Sequence, residues 1–401
     1  MRYLNKFTLP IYSLAYILFV LLNPELAANN ILYWSSILVC FATLLWLVLP
    51  TVKMTKYVKW RCAIIIWAVL SYAILASRRD MGYAFMMDLI LQSLPLFVCA
   101  LYIIEIDNPK IVIQVFVFAA FATCSYACIK SGLSNFMRVT LGYYTLGTQR
   151  WNSNFLGCLA AYGFTLSLIY KRMDGSNFFD RKVVKALLYL TFVATVLWSG
   201  SRTSLIVLVL GAFGFFIITA ENQLKVLRNI IAVICGMVVL YFAIMRIPSL
   251  YNIIGNRMER LFSFVSTGTA GELSIGWRQQ MIEYGLTLFK RHPIFGVGID
   301  SFRYYYGVEG TTTFHSTYSH NNYIELLADG GLIGFALYYS VYFIGLRGYF
   351  HSKIEYKNCL LLVLIVMLIG DWSTISYQSL GCQFVLCIIV SLLNKTSSEE
   401  K

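Results

Sequence analysis

TSLIVLVLGAFGFFIITA, residues 203–220, crosses from one end to the other without a charged side chain. A helix of roughly 20 apolar residues is what it takes to span about 30 Å of hydrocarbon. Further charge-free runs lie on both sides of it, at 7–24, 26–52, 62–77, 89–104, 111–129, 151–170, 186–201, 229–245, 330–346, 358–370 and 372–394. Three of these (62–77, 89–104 and 358–370) are short and are expected to borrow polar ends. Hydrophobic residues make up 59% of the 401 and charged residues 13%, with a mean hydropathy of +0.68. Soluble domains average about 45–50% apolar and about 25% charged, so lipid must be the solvent for most of this chain. The runs show no period-2 alternation, which excludes a transmembrane barrel. The expectation is an all-α, polytopic membrane protein of about twelve transmembrane helices.

Lys and Arg set the orientation. With the N-terminus (Arg2, Lys6) in the cytoplasm, the inner connections collect Lys53, Lys56, Lys59, Arg61, Lys110, the 171–185 cluster, Lys225, Arg228, Arg347, Lys353 and Lys357. The short outer connections keep few basic residues. Both termini are therefore expected in the cytoplasm, and the net charge of +13 reads as topology. Nucleic acid is not implied. A cleaved leader in place of the first span is disfavoured by the modest N-terminal charge. The ten cysteines sit in or beside apolar runs, with none in the largest outer connection, so no disulfide framework is expected. Cys124 and Cys128 read as small packing residues. No zinc pattern, P-loop or dinucleotide fingerprint occurs.

Three parts follow: residues 1–246 with helices one to nine, an extracytoplasmic loop 247–321, and residues 322–401 with helices ten to twelve. So long a loop in a compact protein points to function. In IGWRQQMIEYGLTLFKRHPIFG (275–296), Met281, Tyr284, Leu288 and Phe289 form one helical stripe, for the membrane surface or for the bundle. Pro293 ends that helix, and Gly296 and Gly298 follow in a turn. Topology disfavours arginines here. Solvated faces account for Arg257, Arg260, Lys290 and Arg291, whereas Arg278, after an aromatic at the start of the helix, reads either as a further solvated charge or as a residue that meets an anion. WSGSRTS (198–204) pins Arg202 at the outer boundary, where a charge is a functional hypothesis against simple snorkelling. In SHNNYIELLADGGLIG (319–334) Ser319 is expected to cap a short helix and Gly330-Gly331 to break it before the next span. His320 then heads that helix, either structural or catalytic.

At these residues the chain resembles the O-antigen ligase and polysaccharide polymerase superfamily. The pattern of His, Asn, nine residues, Gly, two residues, Gly is met by His320, Asn321, Gly331 and Gly334. Gly296-Val-Gly298-Ile-Asp-Ser-Phe302 matches the element before it, and Arg202 and Arg278 match the family's two arginines. Arg150-Trp-Asn-Ser-Asn154 resembles a weaker element. The resemblance covers about 145–345. It implies a C-type membrane glycosyltransferase fold and transfer of glycan from a polyprenyl (undecaprenyl) diphosphate to a saccharide acceptor, with inversion. His320 would be the base and Arg202 and Arg278 the diphosphate clamp. Arg150, Asn154, Asn321 and Arg303 would be further substrate contacts. Because no Asp-x-Asp is present, no metal or other cofactor is expected, and arginines would neutralise the leaving group. A polymerase of surface polysaccharide (O-antigen, capsule or exopolysaccharide) is favoured over a ligase to lipid A core, and both over a flippase or transporter. A chain-length regulator and a flippase are its expected associates.

Overall fold

In a computed structural model of the chain, residues 2–48, 54–75, 79–105, 109–132, 145–146, 149–150, 152–170, 181–256, 259, 273–309 and 317–395 are described. Among the described residues, fourteen helices of eight residues or more carry the fold: α1 (Arg2–Leu21), α2 (Asn30–Val48), α3 (Lys56–Leu75), α4 (Arg79–Glu105), α5 (Lys110–Ser131), α6 (Ser153–Tyr170), α7 (Lys182–Ser199), α8 (Arg202–Ile218), α9 (Gln223–Arg246), α10 (Leu273–Arg291), α11 (Phe302–Glu309), α12 (Asn322–His351), α13 (Lys357–Gly370) and α14 (Leu380–Leu393). Eight of them are long and apolar enough to cross a membrane, and α1, α8, α13 and α14 are shorter apolar helices. Together these twelve correspond one to one with the twelve charge-free runs. The chain is an all-α polytopic membrane protein; among the described residues a two-residue ladder pairs β1 (Thr145–Leu146) with β2 (Gln149–Arg150), Thr145 opposite Arg150.

Helix ends sort into two faces. Lys56 Nζ donates to Asn394 Oδ1 at 3.0 Å, tying the start of α3 to the end of α14. Lys110 lies 5.4 Å from the ring centroid of Tyr170, at the start of α5 and the end of α6. On the opposite face Asn152 Nδ2, just before α6, donates to Tyr318 Oη at 3.0 Å. There too Thr203, in the first turn of α8, is hydrogen-bonded to Ser373 beyond α13.

Three expectations are corrected. Arg61 is not a connection charge: α3 borrows residues back to Lys56, and the guanidinium is buried. It donates to Ser93 Oγ (2.8 Å), Gln383 Oε1 (3.2 Å) and Leu89 O (3.4 Å), so neutral acceptors on α4 and α14 satisfy it. The run 372–394 is not one span. Its first part is a turn-rich linker, 371–379, and α14 begins at Leu380 after an N-cap in which Ser379 Oγ accepts from Cys382 N. Thr374 Oγ1 donates back to Gly370 O at 2.8 Å there, and neither it nor Ser373, Ser376 or Gln378 carries a charge. The cap of α12 is Asn321 and not Ser319: Asn321 Oδ1 accepts from Tyr323 N (3.0 Å) and Ile324 N (3.2 Å).

The break expected at Gly330-Gly331 is a kink inside α12, where Gly331 has φ 58° and ψ −158°. The loop after α10 lies against this kink. Val297 N donates to Ala328 O and Gly298 N to Asp329 O. A Cβ on Gly331 would stand 2.5 Å from the Ile294 backbone, and one on Gly296 would stand 2.4 Å from Asp329. The two backbones thus touch, which only glycine permits. The stripe of α10 packs on protein: Met281, Leu288 and Tyr284 meet Phe302, Tyr306 and Ala328. Cys124 is buried and Cys128 Sγ lies 3.5 Å from Thr195 Oγ1 on α7, as packing residues. Arg257 and Arg260 lie outside the described residues.

Candidate active site

His320 sits at the head of α12 with φ +56°, a left-handed conformation that costs an L-residue roughly 1–2 kcal/mol. Its neighbours hold it there. Ser319 N donates to Glu325 Oε2 at 2.6 Å and Ser319 Oγ to Asn321 O at 2.9 Å. Asn322 N donates to Asp371 O at 2.9 Å, and Tyr377 N donates to Asn322 Oδ1 at 3.2 Å. Ser319, Asn321, Asn322 and Glu325 are all buried, whereas His320 is half-buried. Strain persists only where surroundings over-determine it, and such places cluster at functional sites. The same contacts fasten the linker 371–379 beside the imidazole.

A cavity of about 290 Å³ opens at this point, lined by His320, Tyr318, Asn152, Asn154, Ser373 and Gln378 among others. The rings of Tyr318 and His320 are 4.3 Å apart, centre to centre. Asn152 caps α6 by accepting from Asn154 N (2.9 Å) and also holds Tyr318. The α7–α8 hairpin is drawn in by close packing on α6, where a Cβ on Gly157 would meet Ser204 Oγ at 2.5 Å. Within the hairpin Gly200 adopts φ +62° and Ser201 caps α8 through Ser204 N at 3.3 Å. Arg202, half-buried, is therefore the first residue of a helix whose next residue bonds the cavity wall at Ser373.

Burial, and after it the Arg278 charge acting in the same direction, lower the His320 pKa from 6.5 to about 4. Arg278, half-buried on α10, and Arg303 on α11 both also act on Tyr318, whose hydroxyl is nonetheless raised by burial. The imidazole is thus neutral at pH 7, with an unprotonated nitrogen. Arg303 faces a second cavity of about 330 Å³, which shares Gln378 with the first. Its Nη2 is 2.7 Å from Asp300 Oδ1. Burial raises the Asp300 pKa to about 6, against the pull of Arg303.

Among the residues singled out from sequence, His320 and Asn154 line one cavity and Arg278 acts electrostatically on that site. Arg202 adjoins its wall, and Arg303 lines the neighbouring cavity. The Asn321 carboxamide oxygen is committed to the cap. Arg150 contributes a backbone pairing, and its side chain lies outside the described residues. Tyr318, Asn152, Ser373 and Gln378 went unmarked in the sequence; Asn152, in the Asn-Ser-Asn before an apolar run, was open to recognition as a cap. Residues 187–339 match the family model described as O-Antigen ligase. No curated protein matches the chain.

Proposed function

We propose that this chain, whose residues 187–339 are similar to the O-Antigen ligase family, polymerises lipid-linked repeat units of a surface polysaccharide. The donor is a glycan on polyprenyl (undecaprenyl) diphosphate and the acceptor a sugar hydroxyl. The protein sits in the bacterial inner membrane with both termini in the cytoplasm and the His320 face outside. A flippase that delivers the units and a chain-length regulator are its working partners. The observation that supports the reading is the half-buried His320 imidazole lining a cavity, with the Arg278 charge acting on it.

In the step proposed, the acceptor hydroxyl oxygen bonds to the anomeric carbon as the carbon–oxygen bond to the diphosphate breaks. The hydroxyl proton passes to an imidazole nitrogen of His320, and the electron pair leaves with the diphosphate. Attack opposite the leaving group inverts the anomeric carbon. Arg202 and Arg278 neutralise the departing charge with charge-assisted hydrogen bonds, each worth about 1.5–3 kcal/mol, in the role a metal ion would otherwise fill. Diphosphate paired with Arg278 also cancels part of the field that keeps His320 a weak base. Donor binding thereby raises the basicity of His320 at the moment it is needed.

Deletion tests the reading. Without a polymerase, single repeat units still reach the final acceptor and long chains vanish. A carrier-linked ladder that persisted in the deletion strain would mean a ligase instead. Reconstituted with lipid-linked repeat units alone, a polymerase makes a ladder, a ligase makes nothing and a transporter only relocates the glycan.

A further inference from the structure

Asp88 stands within the apolar span Gly82–Glu105 of α4, more than two turns from the helix start. A carboxylate at that depth faces a polar cavity and marks a functional path by default. The cavity it lines is the 330 Å³ space beside the His320 site, walled also by Phe85, Gln92, Arg303, Tyr377 and Gln378. Its volume falls near the low end of small-ligand sites, about 300–1,000 Å³, and suits a sugar residue more than a polymer.

The chemistry of the wall narrows the ligand. Arg303 is already paired with Asp300, so the remaining formal charge of the wall is that of Asp88, an exposed residue. An anion such as the diphosphate is disfavoured. Arg303 Nε is buried and has no hydrogen-bond acceptor among the described residues. With the two glutamine amides it offers donors, while Asp88 and the amide oxygens offer acceptors, the mixture that a ring of hydroxyls satisfies. Phe85 and Tyr377, with ring centroids 5.5 Å apart at 52°, supply an apolar face for the C–H side of a pyranose. Gln378 belongs to both cavities, so a ligand held here extends past it toward His320.

We propose that this Asp88–Arg303 cavity is the acceptor subsite, binding an uncharged sugar residue of the acceptor glycan and presenting its free hydroxyl to His320. The inference rests on the glycosyl-transfer reading above, but binding can be measured without turnover. The probe is the glycan extracted on its lipid carrier from cells lacking the protein and released by mild acid, titrated into the purified full chain in detergent. Asp88→Asn should weaken binding of this free saccharide tenfold or more. Ala84→Trp, which fills the cavity mouth, should do the same if Asp88→Asn fails to fold. Inorganic pyrophosphate should bind both variants as it binds wild type. Saccharide affinity unchanged in a folded variant, no saccharide binding by wild type, or selective loss of pyrophosphate would each overturn the subsite. Failure of wild type to consume the lipid-linked glycan would instead remove the enzyme reading, and the binding result would stand on its own.

Discussion

On the proposed reading His320 must be unprotonated to accept the hydroxyl proton, and its burial together with the Arg278 charge favours the neutral imidazole at the cost of base strength. With the pKa lowered to about 4, the acid limb of kcat/KM, which reports the free enzyme, should fall with a midpoint near pH 4. An exposed histidine would give about 6.5. A midpoint at 6 or above would place the imidazole in water. Replacing Arg278 by Ala removes one of the two lowering influences, so that limb should move to higher pH. His320→Ala should lose about 10²–10⁴-fold in rate, the usual worth of a general base, with membrane insertion unaltered. Turnover within threefold of wild type would make His320 structural. Arg202→Lys keeps the charge but loses the two-pronged geometry that grips a diphosphate, and it should cripple transfer. With arginines as the clamp, excess EDTA should leave the rate unchanged. A rate that collapsed with chelator and returned with magnesium would expose a metal site.

At the scale of elements, the turn after α10 and the kinked start of α12 form one unit. Gly296→Ala and Gly331→Ala each put a methyl within about 2.5 Å of the opposing backbone at a positive φ. Each should destabilise by about 2–3 kcal/mol and depress activity by shifting His320. Thermal melting that left either variant unchanged would deny the backbone contact. The twelve apolar helices were legible because a bilayer demands long charge-free runs, and the break at Gly331 because two glycines interrupt one. The 371–379 linker was not: Ser373, Thr374 and Gln378 carry no charge, so a rule that looks for charges reads through them. Arg61 was misplaced by that rule in the opposite direction, since a guanidinium satisfied by Ser93, Gln383 and Leu89 can sit inside a span. The Asn152–Tyr318 bond was beyond any local pattern, because its partners meet only when α6 packs beside the head of α12.

For the whole molecule, sidedness is the property to test. Lys290 on α10 and Lys353 after α12 are both exposed and should lie on opposite sides of the membrane. In intact spheroplasts a membrane-impermeant maleimide should label Lys290→Cys at once and Lys353→Cys only after lysis. The reverse pattern would invert the topology and put the His320 face in the cytoplasm. Cys235, exposed on α9, lies within a lipid-facing span and should stay silent in both. The left-handed backbone at residue 320 bears on the history of such a chain. Its strain of roughly 1–2 kcal/mol would vanish in a His320→Gly protein, offset by glycine's greater unfolded freedom of about 0.5–1 kcal/mol and the loss of the ring against Tyr318. Folding therefore gains little from the histidine. On the proposed reading, a lineage released from its substrate could shed it with little loss of stability, so transfer and not folding would be what keeps a histidine in that turn.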